Sequence, residues 1–354
     1  MRVSDNPRVE LWPQDCIAGM AERLEPESVH LVVTSIPFEE LFTYSGKPED
    51  VGNNGSTIDI RAGRFALNMR FVVAQMWRAL APGCNACIHI QQLLAYKIQH
   101  GFMGRRDFRG SMIDVFTVGG EVAGRDASAD GEPLPFILPA LNPRNQGFQF
   151  AGEFVIPKNP QAMANRLNLH SLQFKTGYAR NSCQLAPAPN DYVLIFQKPG
   201  QHPCPPKALA DKRRGDGGGW VPTDEWVRDA SGIWSDILEI DVLDGSRGHK
   251  EDRHEKHVCP LQLEVIRRLV RLYTNPISLQ PDVTVCDPFM GIGSSAYVAC
   301  GGTSPVTKLR VEEPRNVVGF ELKESYHRAS IDYVRGALES TRPKRDLYSD
   351  LTTA

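Results

Sequence analysis

The stretch LVVTSIPF, residues 31–38, begins as an apolar run rich in β-branched residues and ends in a proline. A short run of this kind predicts a buried β-strand. Pro37 cannot continue a central strand, and it favours an extended conformation at Ile36. The strand end therefore presents the Ser35 hydroxyl, the Ile36 carbonyl and the Phe38 ring. Two acceptors beside a flat ring suit a planar substrate that carries an amino group, although an ordinary strand-to-loop turn explains the same residues.

The composition of the chain limits the possible classes of protein. The 354 residues are 41% apolar, enough for one large α/β domain or two ordinary ones. The formal net charge is -2, so any nucleic-acid contact needs a local basic patch. With no signal peptide, the eight cysteines are expected to be reduced thiols of a cytoplasmic protein. No apolar run reaches ~18 residues, so no membrane span is predicted.

Helix and strand patterns alternate along the chain, which predicts an α/β fold. The helical pattern of residues 65–80 ends at Pro82-Gly83, and a strand pattern resumes at residues 86–90. Helix, Pro-Gly and strand make one αβ unit of a doubly wound sheet. Further strands are predicted at residues 9–12, 152–156, 191–197, 282–287 and 316–321. Further helices are predicted at residues 15–24, 111–116, 260–274, 294–300 and 326–338, and the pattern of residues 260–274 is strongly amphipathic.

A second informative stretch is DPFMGIGS, residues 287–294, which follows a predicted strand and opens a predicted helix. Its two glycines let the backbone approach a ligand closely. The next strand ends in Glu321, whose carboxylate can accept hydrogen bonds from two ribose hydroxyls. Since the third glycine of the dinucleotide fingerprint is missing, a nucleoside without phosphates is expected rather than a pyrophosphate. A solvated acid at a strand end is the alternative interpretation of Glu321.

Together the two stretches resemble the amino-group DNA methyltransferases that depend on S-adenosylmethionine, in the β arrangement with the catalytic strand first. The family's catalytic motif, Ser/Asp/Asn-Pro-Pro-aromatic, is matched at residues 35–38, and its cofactor motif, Asp-Pro-Phe-x-Gly-x-Gly, at residues 287–293. Segments similar to residues 160–163, 191–192 and 196–200 occur in phage-type members. The resemblance covers residues 9–338, apart from insertions at residues 117–147 and 301–315.

The resemblance implies a Rossmann-like S-adenosylmethionine-dependent fold, with a mixed, mostly parallel sheet flanked by helices. It implies a catalytic half (residues 1–199), an inserted target-recognition segment (200–250), a cofactor-binding half (251–338) and a tail (339–354). The cofactor is S-adenosylmethionine, and no metal is expected. The implied cofactor-binding residues are Asp287, Pro288, Phe289, Met290, Gly291, Gly293, Ser294, Glu321, His257 and Pro260.

The resemblance also implies direct methyl transfer to a flipped-out base. An exocyclic amine is a poor nucleophile because its lone pair is delocalised into the base. Acceptors at Ser35 and the Ile36 carbonyl would favour a pyramidal nitrogen that attacks the methyl group in line. Pro37 restrains this geometry, and Phe38 stacks on the base once it has left the duplex. Ile36 stands where the family has proline, so a catalytically impaired DNA- or cofactor-binding relative is an alternative.

In the family that the chain resembles, serine at the first motif position favours cytosine N4 as the target, with adenine N6 as the alternative. RNA or protein amides are further candidates. The expected partner is double-stranded DNA, and the expected biological role is in restriction-modification. The enzyme is expected to be a monomer or a homodimer. Candidate phosphate contacts are Lys212, Arg213, Arg214, Arg166, Lys175 and Arg180, although a solvated charge run explains each equally well. Structural roles are expected for His89, for the Cys84/Cys87 pair and for the tryptophans of residues 200–250.

Overall fold

The computed structural model describes residues 1–39, 50–52, 59–102, 104–117, 147–160, 187–208, 219–245 and 260–341. Its strands are β1 (Arg2–Asp5), β2 (Arg8–Trp12), β3 (Val29–Ser35), β4 (Leu80–Gln91), β5 (Leu93–Ala95), β6 (Gly104–Arg106), β7 (Gln149–Ile156), β8 (Asp191–Gln197), β9 (Thr284–Asp287) and β10 (Asn316–Phe320). Its α-helices are α1 (Cys16–Arg23), α2 (Arg64–Ala79), α3 (Lys97–His100), α4 (Phe108–Thr117), α5 (Thr223–Asp229), α6 (Leu263–Tyr273), α7 (Ser294–Ala299) and α8 (Glu324–Thr341).

Eight strands form one mixed sheet in the order β1-β2-β10-β9-β3-β4-β8-β7, and β5 pairs with β6 separately. The five central strands, from β2 to β4, run parallel. Strands β1, β8 and β7 are antiparallel to their neighbours. The strand order reverses between β9 and β3, because the chain continues from β3 to β4 on one side and from β9 to β10 on the other. This arrangement confirms the predicted Rossmann-like fold, and such a reversal is where ligands bind in open α/β sheets.

Strand β3 lies at the centre of the sheet and is covered on both faces. Leu31 and Val33 belong to the apolar cluster that contains the buried faces of α6, α7 and α8. Val29 and Val32 belong to the cluster on the other face, with α1, α2 and α4. Burial on both sides explains why the strand is a continuous apolar run rather than an alternating one.

Most predicted elements occur, with their ends shifted by a few residues. Asp15 caps α1 by accepting hydrogen bonds from the N–H groups of Ile17 and Ala18, both at 3.0 Å. Strand β8 spans the predicted residues. The break expected at Pro82-Gly83 is present only in part: β4 begins before it, at Leu80, but its register against β3 shifts between Leu80 and Asn85, with Gly83 at φ 75°. None of the described helices has the length and apolar character needed to cross a membrane.

Helix α6 differs from the amphipathic helix that its sequence pattern predicts, because its polar side is buried as well. Glu264, Arg267, Arg268 and Arg271 are all buried. Arg268 forms hydrogen bonds to Glu264 and Asp236, both at 3.0 Å, and Arg271 forms one to Glu225 at 2.6 Å. Residues 219–245 therefore cover the polar side of α6 through ion pairs.

Residues 219–245 are also where the three tryptophans of the predicted recognition segment lie. Trp234 is fully buried and stacks on Phe154, with ring centroids 4.1 Å apart. Trp220 is half-buried and donates its indole N–H to the Arg271 carbonyl at 2.9 Å. Trp226 is exposed. The expectation of a structural role holds for Trp234 and Trp220, whereas Trp226 is not a core residue.

Candidate active site

A cavity opens where the parallel strands β2, β3, β9 and β10 end, on both sides of the strand-order reversal. The whole predicted catalytic motif lines it: Ser35, Ile36, Pro37 and Phe38. Eight of the predicted cofactor residues line it too: Asp287, Pro288, Phe289, Met290, Gly291, Ser294, Glu321 and Pro260. The two sequence stretches therefore face one shared space, although most of the chain separates them.

Ile36 follows directly after β3, and its side chain and its carbonyl group lie in different surroundings. The side chain is buried in the core between the sheet and α2. Among the described residues, no hydrogen bond to the Ile36 carbonyl oxygen is present. The apolar side chain thus fills the core, while the carbonyl at this position is available to a ligand. Isoleucine retains the acceptor that the motif requires.

Phe38 is held at the cavity wall by two other rings. Its centroid lies 6.1 Å from the His89 ring and 6.2 Å from Phe108, which it meets edge-on at 85°. Edge-on aromatic contacts of this length are favourable. They hold the Phe38 ring in place beside Ser35 before any substrate enters.

The turn after β9 depends on its two glycines in different ways. Gly291 has φ 55°, and a Cβ added there would meet no atom within 4 Å. Gly293 has φ 91°, and its added Cβ would lie 2.7 Å from the Ser330 Cβ of α8. Gly293 is absent from the cavity lining, so it lets the turn pack against α8, whereas Gly291 leaves open space beside the cavity.

Two carboxylates support this turn. Asp287 accepts a hydrogen bond from the Phe289 N–H at 3.1 Å, and Glu321 accepts one from the Gly291 N–H and one from the Lys323 N–H, both at 2.8 Å. Desolvation raises the pKa of Asp287 to about 6 and that of Glu321 to about 7, against the opposing effect of these hydrogen bonds. Each Glu321 oxygen keeps a second lone pair for a ligand hydroxyl.

The charged residues along the cavity are all acidic. Within the described part of the chain, the lining includes Asp15, Asp50, Asp287 and Glu321 but neither lysine nor arginine. Such a lining suits a cationic ligand without phosphate groups. Sequence reasoning predicts only an N-cap role for Asp15 and no role for Asp50. A carboxylate between the predicted first strand and the helix that follows it is the signal that points to Asp15.

A row of buried polar groups lies behind Ser35. The Ser35 Oγ is 2.9 Å from His89 Nδ1, and His89 Nε2 is 3.1 Å from Asp191 Oδ2. Asp191 also contacts Lys158 Nζ at 2.5 Å and accepts a hydrogen bond from Gln91 at 2.8 Å. Burial by itself would raise the pKa of Asp191, but His89 and Lys158 together hold that pKa below its usual value. His89, expected to be only structural, thus contacts the first residue of the motif.

Several predicted site residues lie outside the described residues: Lys212, Arg213, Arg214, Arg166, Lys175, Arg180 and His257. The 117–147 insertion lies outside them almost entirely. Cys84 and Cys87 are buried, and desolvation raises the pKa of Cys84 to about 12, which keeps its thiol protonated at neutral pH. No group of three potential metal ligands occurs in the part of the chain that the structure describes.

Comparisons with known proteins give a consistent set of relatives. The family model N6_N4_Mtase, described as DNA methylase, matches residues 29–332. The type II methyltransferase M.MjaI of Methanocaldococcus jannaschii is 24% identical over 332 residues, 87% of this chain and 86% of that protein. M.MthZI of Methanothermobacter thermautotrophicus, another type II methyltransferase, is 27% identical over 138 residues, 39% of this chain and 32% of that protein.

Solved structures share the fold at lower sequence identity. TTHA0409 of Thermus thermophilus, provisionally assigned as a DNA modification methylase and complexed with S-adenosyl-L-methionine, has a TM-score of 0.55 and 18% identity. That match covers 93% of this chain and 94% of the other. The cytosine-N4-specific PvuII DNA methyltransferase has a TM-score of 0.51 and 15% identity, over 97% of this chain and 90% of the other.

Proposed function

Because this chain belongs to the N6_N4_Mtase family of DNA methylases, we propose that it transfers a methyl group from S-adenosylmethionine to the N4 amino group of cytosine in DNA. The observation that supports this most directly is the shared cavity. Ser35 and the Ile36 carbonyl stand on one side of it, and the glycine turn with Glu321 stands on the other. A nucleoside donor and an amine acceptor can therefore meet at the ends of β3 and β9.

The cavity fits the proposed cofactor in three respects. Glu321 offers acceptor lone pairs for a ribose diol, and the open space beside Gly291 admits a ligand close to the backbone. The acidic lining matches a donor that carries a sulfonium and an ammonium group but no phosphate. When bound, S-adenosylmethionine would supply an electrophilic methyl group. Asp287, Pro288, Phe289, Met290, Ser294 and Pro260 complete the proposed binding surface, with Gly293 holding the turn in place.

The catalytic work assigned to the chain is positioning. Ser35 Oγ and the Ile36 carbonyl would accept the two N–H groups of the amine, so that the nitrogen lone pair points away from the base and towards the donor. Phe38, held by His89 and Phe108, would stack on the flipped-out base, and Pro37 would keep the Ile36 carbonyl in place. Orientation and preorganised hydrogen-bond acceptors of this kind account for much of enzymatic rate enhancement.

Cytosine N4 is the proposed target because Ser35 occupies the first motif position. The Ile36 carbonyl carries no competing hydrogen bond among the described residues, which supports an active enzyme rather than an impaired relative. Nucleoside mass spectrometry of unmodified duplex DNA, incubated with the protein and S-adenosylmethionine, tests both points. We expect N4-methylcytosine. N6-methyladenine would contradict the base assignment, and the absence of any methylated nucleoside would contradict the activity.

The catalytic motif can be tested with Ser35→Ala. We expect methyl transfer to fall by about 10²-fold or more, since one preorganised partner of the reacting amine is lost. S-adenosylmethionine affinity, measured by calorimetry, should stay within about twofold. Ser28→Ala is the matched control, because Ser28 lies at the opposite end of the same strand and bonds only the nearby Glu25 carbonyl. Full activity of Ser35→Ala would refute the assigned site.

A further inference from the structure

We propose that His89, Asp191 and Lys158 form a proton-accepting relay behind Ser35, in which His89 takes the hydroxyl proton of Ser35 during methyl transfer. This inference rests on the proposed function, because it assigns the destination of the proton that the methylated amine must lose. His89 and Asp191 are then positioning residues that act through Ser35, and Lys158 supports Asp191. None of the three lines the cavity itself.

The contacts determine which imidazole nitrogen carries hydrogen. Asp191 stands 3.1 Å from Nε2 and is held as a carboxylate by Lys158 at 2.5 Å and by Gln91 at 2.8 Å. A carboxylate only accepts hydrogen bonds, so the hydrogen of a neutral ring is expected on Nε2. Nδ1 is then an acceptor, and the partner at 2.9 Å is the Ser35 hydroxyl. The Ser35 O–H therefore points to His89, and the Oγ lone pairs are left for the substrate amine.

The backbone register places these groups in one line. Ser35 is the register partner of His89 across β3 and β4, and Asp191 begins β8, which pairs antiparallel with β4. Lys158 follows shortly after β7, the next strand. Three adjacent strands and the segment after the fourth thus contribute one member each, from the cavity outwards to the edge of the sheet. His89, Asp191 and Lys158 are each less than a tenth exposed, so their interactions are weakly screened.

The transfer step balances with these groups alone. The amine nitrogen forms a bond to the methyl carbon while the sulfur–methyl bond breaks, and that electron pair stays on sulfur. The nitrogen then carries a positive charge and gives a proton to Ser35 Oγ as the Ser35 hydroxyl proton moves to His89 Nδ1. The positive charge ends on an imidazolium beside the Asp191 carboxylate. The Nε2–H is not well aligned with Asp191 in the resting protein, and such contacts often tighten only as charge develops.

The relay predicts an acid limb in the rate of transfer, because a protonated His89 cannot accept the hydroxyl proton. The charged group in contact with His89 is Asp191, and Lys158 contacts the same Asp191 oxygen, while Ser35 and Phe38 also contact the His89 ring. Glu321 and Asp287 also titrate near neutral pH, but they belong to the cofactor side of the cavity. Single-turnover rates at saturating cofactor and DNA separate the effect of His89 on transfer from the effect of Glu321 and Asp287 on cofactor binding.

The test compares the single-turnover rate between about pH 5.5 and 9 in the wild type, His89→Gln and Asp191→Asn. We expect His89→Gln to be slower by roughly 10²-fold, with no acid limb, because glutamine does not titrate. Asp191→Asn should slow transfer as well and shift the limb. His30→Gln is the matched control: His30 is also buried, but it accepts the Thr284 N–H at the opposite end of the sheet, so rate and limb should persist.

A measurement without turnover keeps the relay testable even if a variant fails to fold or the DNA target is unsuitable. Nitrogen-15 NMR of the wild type should show His89 as the Nε2–H tautomer. A Ser35→Ala variant should change the Nδ1 shift of His89. The opposite tautomer would overturn the relay whether or not the protein transfers methyl groups. A wild-type rate and acid limb in His89→Gln, with Ser35→Ala inactive, would overturn the relay and leave the proposed function standing.

Discussion

At the scale of single residues, Ile36 shows how one position can serve the core and the cavity separately. Its side chain is 1% exposed and packs in the core, while its carbonyl oxygen accepts no hydrogen bond from the described residues. Proline at the same position would offer the same carbonyl with less apolar volume. The departure from the family motif therefore changes the packing under the site rather than the acceptor that the proposed chemistry needs.

If Glu321 holds the ribose as proposed, we expect cofactor binding to depend on pH. Desolvation raises its pKa to about 7, and a ribose diol needs the ionised carboxylate as its acceptor. S-adenosylmethionine affinity should therefore increase as pH rises through about 7, by about tenfold between roughly pH 6 and pH 8 if only the ionised form binds. Calorimetry at the two pH values measures this change. Glu321→Gln should bind more weakly at the higher pH and lose most of the pH dependence; an equally steep dependence in this variant would assign the titration to another group.

At the scale of elements, the turn between β9 and α7 uses its two glycines for separate purposes. Gly293→Ala would force an L-residue into φ 91° and place its Cβ 2.7 Å from Ser330. We expect the free energy of unfolding to fall by ~1–3 kcal/mol. Denaturant titration of the cofactor-free protein measures it.

Gly291→Ala is the matched variant for this turn. It also has a positive φ, but its Cβ would point into open space at the cavity. It should cost less stability than Gly293→Ala and lose more S-adenosylmethionine affinity. The reverse ranking would show that Gly291, not Gly293, holds the turn against α8.

At the scale of the whole molecule, buried ion pairs connect residues 219–245 to helix α6. Arg268 is 1% exposed and contacts Glu264, Asp236 and Asp229. Helix α6 in turn packs on the apolar cluster that includes β3 and β9. The described part of the predicted recognition segment is thus attached to the helix that packs against β3.

Arg268→Ala should therefore destabilise the protein strongly, because it leaves Asp229, which is fully buried, with fewer positive partners. The expected loss is about 3–5 kcal/mol in the free energy of unfolding, the cost of removing one partner from a buried ion pair. Arg328→Ala, at an exposed i,i+4 pair on α8, is the control and should cost less than about 1 kcal/mol. Chemical denaturation of both variants gives the comparison, and equal losses would show that the buried network contributes no more than a surface pair.

Local patterns in the sequence predict much of the fold and most of the residues that line the cavity at the proposed site. Three features are properties of neighbouring residues: the alternation of helices and strands, the apolar run of β3 and the glycine turn. They can therefore be predicted from backbone preferences and burial. The Pro82-Gly83 break is predicted only in part, because pairing of Leu80 with Val29 starts β4 before the pair, whereas regular pairing resumes at Asn85. The domain boundaries and the roles assigned to Lys212, Arg213 and Arg214 stay predictions.

The sequence by itself determines that a strand ends in Ser35-Ile36-Pro37-Phe38 and that a glycine turn follows β9, because proline, glycine and a short apolar run act locally on the backbone. Only the tertiary structure decides that His89, Asp191 and Lys158 stand in line behind Ser35, since that line depends on the pairing of four strands that are distant in sequence. The same holds for the buried arginines of α6, whose spacing alone predicts a solvated face. Long-range pairing selects their partners, and no local pattern contains that information.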